Sequence, residues 1–415
     1  MGIKRDREVS MSITIGIDWS EEYHDVCILH ETGTQLARFQ IDHSPTGFTH
    51  LAEKIDRCGL QPIACLVALE TAHNLLVDFL WSRQYSVYVI APSIVNSSRG
   101  RFGSSGARTD QSDAQLLADL LRTDRARFTP WRPDSPLVCQ MKAKLSLIDH
   151  LTKAITAHSN RLRAVLLRYY PQALTIFGHL TSQISLQFLM TFPTPAALTG
   201  LSYAAFAQFC QEHTYRRADY IAKAYAALQR PVPEADPIMV RAYQDETPLL
   251  AHLLLIMVRN KQLAIREVQT LFEQHPDQAI FASLPGAGNL LAPKLLVIFG
   301  DDRARFPCPQ AIQSLAGTCP VTQQSGKKKT VRFRQACNRD YRQATQQLAI
   351  ASVKQSVWAA GYFSDARSRG LPKNQIYRSL ANRWLAIAWH LWQRRQLYDE
   401  AYHLNQVRRH RRKQV

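Results

Sequence analysis

Near the start of the chain, apolar residues come in three short runs, Ile13–Trp19 (ITIGIDW), His24–His30 (HDVCILH) and Gln35–Ile41 (QLARFQI), separated by turn formers such as Ser20 and Gly33. Runs of this length predict strands. A helical pattern follows over Thr46–Arg57, then the apolar run Ile63–Leu69, a helix over Asn74–Arg83 and a further strand at Ser86–Ile90. A three-strand meander followed by alternating helix and strand is the order of a ribonuclease-H-like α/β domain. Residues 92–109 are rich in Ser, Gly and Arg and predict a mobile basic loop, after which helical periodicity returns at Asp113–Arg122.

The rest of the chain reads as helical. A heptad runs through Met141, Ile148, Leu151, Ile155, Leu162, Val165 and Tyr169, interrupted by Lys144 and His158. It predicts a long helix, ended near Pro171, that either pairs with another helix or lies buried in an ordinary bundle. Residues 180–275 look all-helical, with Pro193, Pro195, Pro231, Pro233 and Pro237 marking connections. The expected division is an α/β catalytic domain over 1–130, a helical and coiled-coil linking and dimerising region over 131–275, a mainly α domain over 276–405 and a basic tail over 406–415. Within that tail, Arg408–Lys413 (RRHRRK) predicts a disordered, phosphate-contacting segment.

Length agrees with two or three domains, since 415 residues exceed one ordinary core. No run approaches the roughly 18 apolar residues of a membrane span, and the first residues carry no apolar signal region. The eight cysteines include no CxxC pair, so neither a zinc ribbon nor a redox motif is indicated. A cytoplasmic protein is expected. The net charge of +18 is unevenly spread: 13 Lys/Arg against 16 Asp/Glu in residues 1–130, 15 against 10 in 131–275, and 23 against 7 in 276–415. An excess confined to the last third is how a polyanion-binding domain looks.

Four carboxylates are candidates for chemistry. Asp18 ends the first strand and Glu70 the fourth, so both reach one sheet edge if those strands are adjacent and parallel. Asp110 and Asp113 lie three apart at a helix start, on one face. Taken singly, each has a plain structural reading: a turn former, a solvated strand end, or a cap, with Ser112 and Gln115 able to form a capping box. Taken together, they are the kind of cluster that holds divalent ions at a scissile phosphate, and a donor set of oxygens favours Mg²⁺ or Mn²⁺ over zinc.

In the last third, residues 281–300 carry Pro285-Gly286-Ala287-Gly288 between helical segments, similar to a helix-hairpin-helix whose backbone N–H groups can hold a phosphate. Beyond it, Ser325-Gly326 is followed by Lys327, Lys328, Lys329, Arg332, Arg334, Arg339 and Arg342. Most Ser-Gly pairs are turns, but cations around a serine can hold a phosphate and stabilise developing charge.

The sequences GIDWS, ALETAH and RTDQSDA resemble the DEDD motif set of a family of bacterial insertion-sequence transposases that includes the pilin-gene invertases. The resemblance extends over nearly the whole chain. It implies a RuvC-like N-terminal domain in which Asp18, Glu70, Asp110 and Asp113 are the catalytic, metal-binding quartet. It also implies a C-terminal domain in which Ser325 becomes joined to DNA. Asn338 and Arg342 fit the family's later Gly-Asn…Arg pattern, with Cys337 where glycine is usual. The implied partners are DNA at the element's ends and target, a non-coding guide RNA, and further copies of the chain in a homodimer or homotetramer. The two catalytic parts would have to meet, within a protomer or between protomers. Expected nucleic-acid contacts are Arg99, Arg101, Arg108, Gly286, Gly288, Lys327, Lys328, Lys329, Arg332, Arg334 and Arg342.

Three rivals make different demands. An actin-like ATPase needs glycine-rich phosphate loops, yet Ser20, Glu21 and Glu22 follow Trp19. A purely nucleic-acid-binding relative has no need of the carboxylates, and a junction-resolving nuclease that activates water has no use for Ser325.

Overall fold

A computed structural model describes residues 12–72, 74–101, 110–326 and 328–412. Contacts divide the chain into two compact units, residues 1–133 and 134–415.

In the first unit the alternation of side chains builds one sheet. Strands β1 (Ile13–Trp19), β2 (Tyr23–His30) and β3 (Gln35–Asp42) form the antiparallel meander, while β4 (Cys65–Leu69) and β5 (Ser86–Val89) join parallel to β1 in the order β3-β2-β1-β4-β5. Ile13, Ile15 and Ile17 point to one face, where helices α1 (Pro45–Asp56) and α2 (Leu75–Ser82) bring Phe48, Leu51, Leu76 and Leu80 against them. Ser44 and Asn74 cap these two helices by accepting from Gly47 N and Val77 N. The opposite face is covered by α4 (Asp110–Asp124), which follows α3 (Pro92–Ser98). Leu116, Leu117, Leu120 and Leu121 of α4 pack on Leu66, Ala68 and Tyr88, each leucine contributing about 1.5–3 kcal/mol by burial.

Local departures from the sequence reading have physical causes. The fourth strand starts at Cys65 because Pro62–Ala64 forms a 3₁₀ turn that leaves Ile63 exposed. Residues 92–101, expected in a loop, are α3 and a 3₁₀ turn over Arg99–Arg101. Pro92 supplies the fixed φ of a first helical position, and Val95 is buried beside Tyr88 and Leu117. Helix α4 begins at Asp110, so Ser112 sits inside it and not at its cap.

The second unit is mostly helical. Helix α5 (Pro136–Tyr169) is about 51 Å long and is followed by α6 (Ala173–Ile176), α7 (Gln183–Thr191), α8 (Tyr203–Glu212), α9 (Ala218–Leu228) and α10 (Pro237–Tyr243). It packs along α11 (Glu246–Glu273) of the same chain. The heptad residues Met141, Ile148, Leu162, Val165 and Tyr169 are buried, and Leu151 and Ile155 are half-buried. Lys144, read as an interruption, pairs with Glu267 at 2.5 Å, and Arg161 clasps Glu246 through two bonds of 2.5 and 2.8 Å.

Helices α12 (Gln278–Ala282), α13 (Gly288–Phe299), α14 (Pro309–Leu315), α15 (Arg339–Ser352), α16 (Val357–Ser368), α17 (Lys373–Arg394) and α18 (Glu400–Arg412) complete the unit. Most pack around Phe281, Phe299, Trp384 and Trp392. A two-stranded antiparallel ribbon, β6 (Val321–Ser325) and β7 (Lys328–Arg332), interrupts what was expected to be mainly helix. The basic run expected to be disordered continues α18 as far as Arg412. No helix among the described residues is long and apolar enough to cross a membrane.

Candidate active site

Strand register brings the first two carboxylates level. The β1–β4 ladder runs from Ile13 opposite Cys65 to Gly16 opposite Ala68; continued two residues further, it sets Asp18 opposite Glu70. Both are half-buried. By the two-residue alternation of a strand, they share the face of Gly16 and Ala68, which is the face that α4 covers.

Gly16 is why α4 lies so close. A Cβ there would run into the Ala114 carbonyl oxygen and lie 2.5 Å from the Ala118 nitrogen, both backbone atoms of α4. Ala114 and Ala118 in turn pack on Cys27 and Leu29 of β2. This contact of small residues presses the start of α4 onto the sheet, one residue from Asp113 and two from Asp18. Asp113 is 3% exposed; Asp110, the first residue of α4, is exposed. Both lie in the first turn, where the helix dipole favours negative charge.

Two further groups converge there that the sequence reading did not single out. Asp25 stands directly opposite Asp18 across the β1–β2 pair and is 5% exposed, with Gln40 Nε2 donating to it at 3.4 Å. Arg38 of β3 donates to Gln111 O at 3.1 Å and Gln115 Oε1 at 2.7 Å, tying the sheet to the first turns of α4. Arg99, expected on nucleic acid, donates to Asp113 Oδ2 at 2.8 Å, and its buried Nε has no hydrogen-bond partner. A cation therefore already sits against this carboxylate face.

Among the described residues no three His, Cys, Asp or Glu side chains are arranged to close around one metal ion. The chemistry of the donors nevertheless fits a hard divalent cation, since Asp18, Glu70, Asp110 and Asp113 offer only oxygens. The Arg99 contact shows that the face accepts positive charge.

In the second unit, Ser325 ends β6 and pairs with Lys328 across the turn made at Gly326 (φ +56°). Ser325, Lys328, Lys329 and Arg332 are exposed. Arg334 is half-buried and donates to Cys319 O at 3.2 Å, and Arg342 donates to Arg334 O at 2.5 Å. Asn338 caps α15, accepting from Asp340 N and Tyr341 N at 3.0 and 3.1 Å. Cys337 is accommodated because its neighbour is Gly317, where a Cβ would lie 2.7 Å from that of Cys337.

The expected phosphate-holding turn between α12 and α13 is engaged within the chain. Gly286 (φ +84°) donates its N–H to Gln355 Oε1 at 2.9 Å and lies against the Ala351–Ser352 backbone. The close approach of that backbone leaves no room for a Cβ at this position. Gly288 (φ +53°) is exposed with open space around it. Arg108, Lys327 and the side chain of Arg101 lie outside the described residues.

Residues 15–171 match the DEDD transposase model of the IS110 group, and residues 278–363 match the one described as Transposase IS116/IS110/IS902 family. The chain is 31% identical over 411 residues to the mini-circle protein of Streptomyces coelicolor named as a transposase for IS117, covering 95% of this chain and 97% of that protein. It is 26% identical over 338 residues to a protein of insertion element IS116 from Streptomyces clavuligerus, covering 80% and 82%. A protein of insertion element IS900 from Mycobacterium paratuberculosis is 25% identical over 339 residues, covering 79% and 82%. The chain belongs to the IS116/IS110/IS902 family of transposases.

As a transposase it is an enzyme of DNA recombination, and its substrate is DNA. Membership of a DEDD group carries a divalent-metal requirement with it. The first matched segment contains Asp18, Asp25, Glu70, Asp110 and Asp113, and the second contains Ser325 and Arg342. A signal for Asp25 was present in the sequence: a tight turn at Glu21-Glu22 pairs Trp19 with His24 and hence Asp18 with Asp25. Arg38 carried no such signal, because its partners lie on a distant helix.

Proposed function

We propose that this transposase cuts and rejoins the DNA strands of an insertion sequence with two sets of residues. Asp18, Glu70, Asp110 and Asp113, on a RuvC-like domain, hold Mg²⁺ or Mn²⁺, and Ser325 is the nucleophile. The observation that supports this reading is the register that sets Asp18 level with Glu70 on adjacent parallel strands, on the sheet face where Gly16 admits α4 one residue from Asp113.

The bound ion would supply Lewis-acid stabilisation of charge on the phosphate oxygens. The chain's own residues do the rest. The four carboxylates fix the ion's place, with Arg38 holding the first turns of α4 in position. Ser325 Oγ loses its proton and bonds to phosphorus; the bond from phosphorus to the leaving strand's oxygen breaks, and that oxygen takes up a proton. Lys328, Lys329 and Arg332 on the exposed ribbon hold the DNA backbone and offset its charge. Attack of the freed hydroxyl of another strand on the Ser325–phosphate linkage rejoins DNA and restores the serine. A non-coding RNA that pairs with target and donor supplies sequence choice, and the transposase works as a homodimer or homotetramer. The basic last third is suited to carrying both nucleic acids.

The test is strand cleavage of the native flanking DNA with the element's RNA and Mg²⁺. Asp113→Asn and Ser325→Ala should each abolish cleavage while leaving DNA affinity within about twofold of wild type. Cleavage that survives Ser325→Ala would point to activated water, and cleavage that survives Asp113→Asn would remove the carboxylate site.

A further inference from the structure

At the base of the ribbon lies a cavity of about 330 Å³ whose lining includes Thr318, Arg332, Phe333, Arg334, Arg378 and Asn382. Two guanidinium groups, those of Arg342 and Arg378, sit over the Phe333 ring at 4.4 and 4.3 Å from its centroid. Two groups that close to one centroid must take opposite faces of the ring. The buried Nε atoms of both arginines have no hydrogen-bond partner. Among the described residues, no carboxylate is ion-paired with Arg332, Arg334, Arg342 or Arg378.

Elsewhere in the same unit, part-buried arginines are neutralised. Arg303 meets Asp277 at 2.7 Å and Arg305 meets Asp134 at 2.5 Å. Stacking on the ring holds these guanidinium groups in place while leaving their charge open to an anion. The remaining donors suit an anion of tetrahedral oxygens. Guanidinium forks match phosphate oxygens pairwise. Asn382 Oδ1 accepts from Thr318 Oγ1 at 2.9 Å, which leaves the Asn382 amide hydrogens as donors. A stacked base is disfavoured, because both faces of Phe333 are already covered.

We propose that this cavity is a second phosphodiester-binding site of the transposase, in which Arg378 of α17, with Arg332 and Arg334, grips the DNA strand a short way from the phosphate at Ser325. Arg332 pairs with Val321 at the base of the ribbon whose tip carries Ser325, so the two points are separated by roughly 13 Å of strand. DNA running along the ribbon meets both. The placement relative to Ser325 rests on the function proposed above; the cavity's affinity for a phosphodiester does not.

The test is equilibrium binding of a short fluorescent DNA duplex to the full chain over a range of salt concentrations. Arg378→Gln should lower the magnitude of the log K against log salt slope by about 0.9, one phosphate contact, and Arg378→Lys should restore most of it. Because Arg378 also packs on Phe333, a second variant is needed that leaves that packing alone. Ser379→Asp places a negative charge at the exposed rim and should weaken binding about fivefold. Wild-type slope in Arg378→Gln, or wild-type affinity in Ser379→Asp, overturns the proposal. A loss seen with an RNA duplex and absent with DNA overturns the assignment to DNA. Adduct formation at Ser325, scored separately in wild type, distinguishes the two readings. No adduct with these binding losses intact refutes the nucleophile alone, and an adduct without them refutes the cavity alone.

Discussion

Replacing Gly16 by alanine tests the packing that assembles the carboxylate face. The new Cβ would meet the Ala114 carbonyl oxygen and lie 2.5 Å from the Ala118 nitrogen. Neither atom belongs to a side chain that can rotate away. Relief therefore requires α4 to lift from β1 by about 1 Å or more to reach ordinary van der Waals separation. Overpacking of this kind costs about 1–3 kcal/mol, and two backbone contacts on one helix put Gly16→Ala near 3 kcal/mol. The consequence for chemistry is larger, since displacement of Asp113 relative to Asp18 by about 1 Å is worth on the order of a hundredfold in rate. Hydrogen exchange resolved on peptides from β1 and α4 reads the first effect, as roughly hundredfold faster exchange, and strand cleavage reads the second. Gly361→Ala is the control: Gly361 lies inside α16 with nothing within 4 Å of a Cβ, so it should stabilise by about 0.5–1 kcal/mol. If Gly16→Ala exchanges like wild type and cleaves at full rate, the close approach of α4 does not position the site.

Two further expectations concern folding. His24 is fully buried, and burial, helped by His43 at 2.9 Å, pushes its pKa down to about 4 from 6.5. The unfolded chain thus binds this proton more readily, so the stabilisation is complete above pH 6.5 and is lost as pH falls from 6.5 toward 4; urea midpoints of the first unit should drop across that window and flatten in His24→Phe. Asn338→Ala removes the two cap bonds of α15 and should destabilise the second unit by about 1 kcal/mol in urea unfolding, with no change in the first unit.

The sheet was legible because burial on both faces writes itself into β1, β2 and β4 as near-continuous apolar runs. Asp18 and Glu70 were legible for the same reason, since each follows directly on such a run. Helix α3 was not, because its Ser/Asn/Arg composition favours a loop and a single buried residue, Val95, decides otherwise. The ribbon was obscured by its cations, although Thr322, Thr330 and Val331 flank the Ser-Gly turn with β-formers. The heptad marks a face of the long helix that is largely buried, but no periodicity can tell a partner in the same chain from one in another; within this chain α11 lies along it, with Lys144 paired to Glu267. Arg38, Arg378 and Gly286 make contacts distant in sequence, which no local pattern announces.

The most direct measurement is to trap a covalent protein–DNA adduct and map it. The transposase, its native flanking DNA, the element's RNA and Mg²⁺ are denatured after brief reaction, and the DNA-bearing peptide is sequenced by mass spectrometry. The expected result is a phosphodiester on Ser325, absent without divalent ion and absent in Asp113→Asn. An adduct on another residue, or cleaved DNA with no adduct at any time point, would contradict a serine-nucleophile transposase.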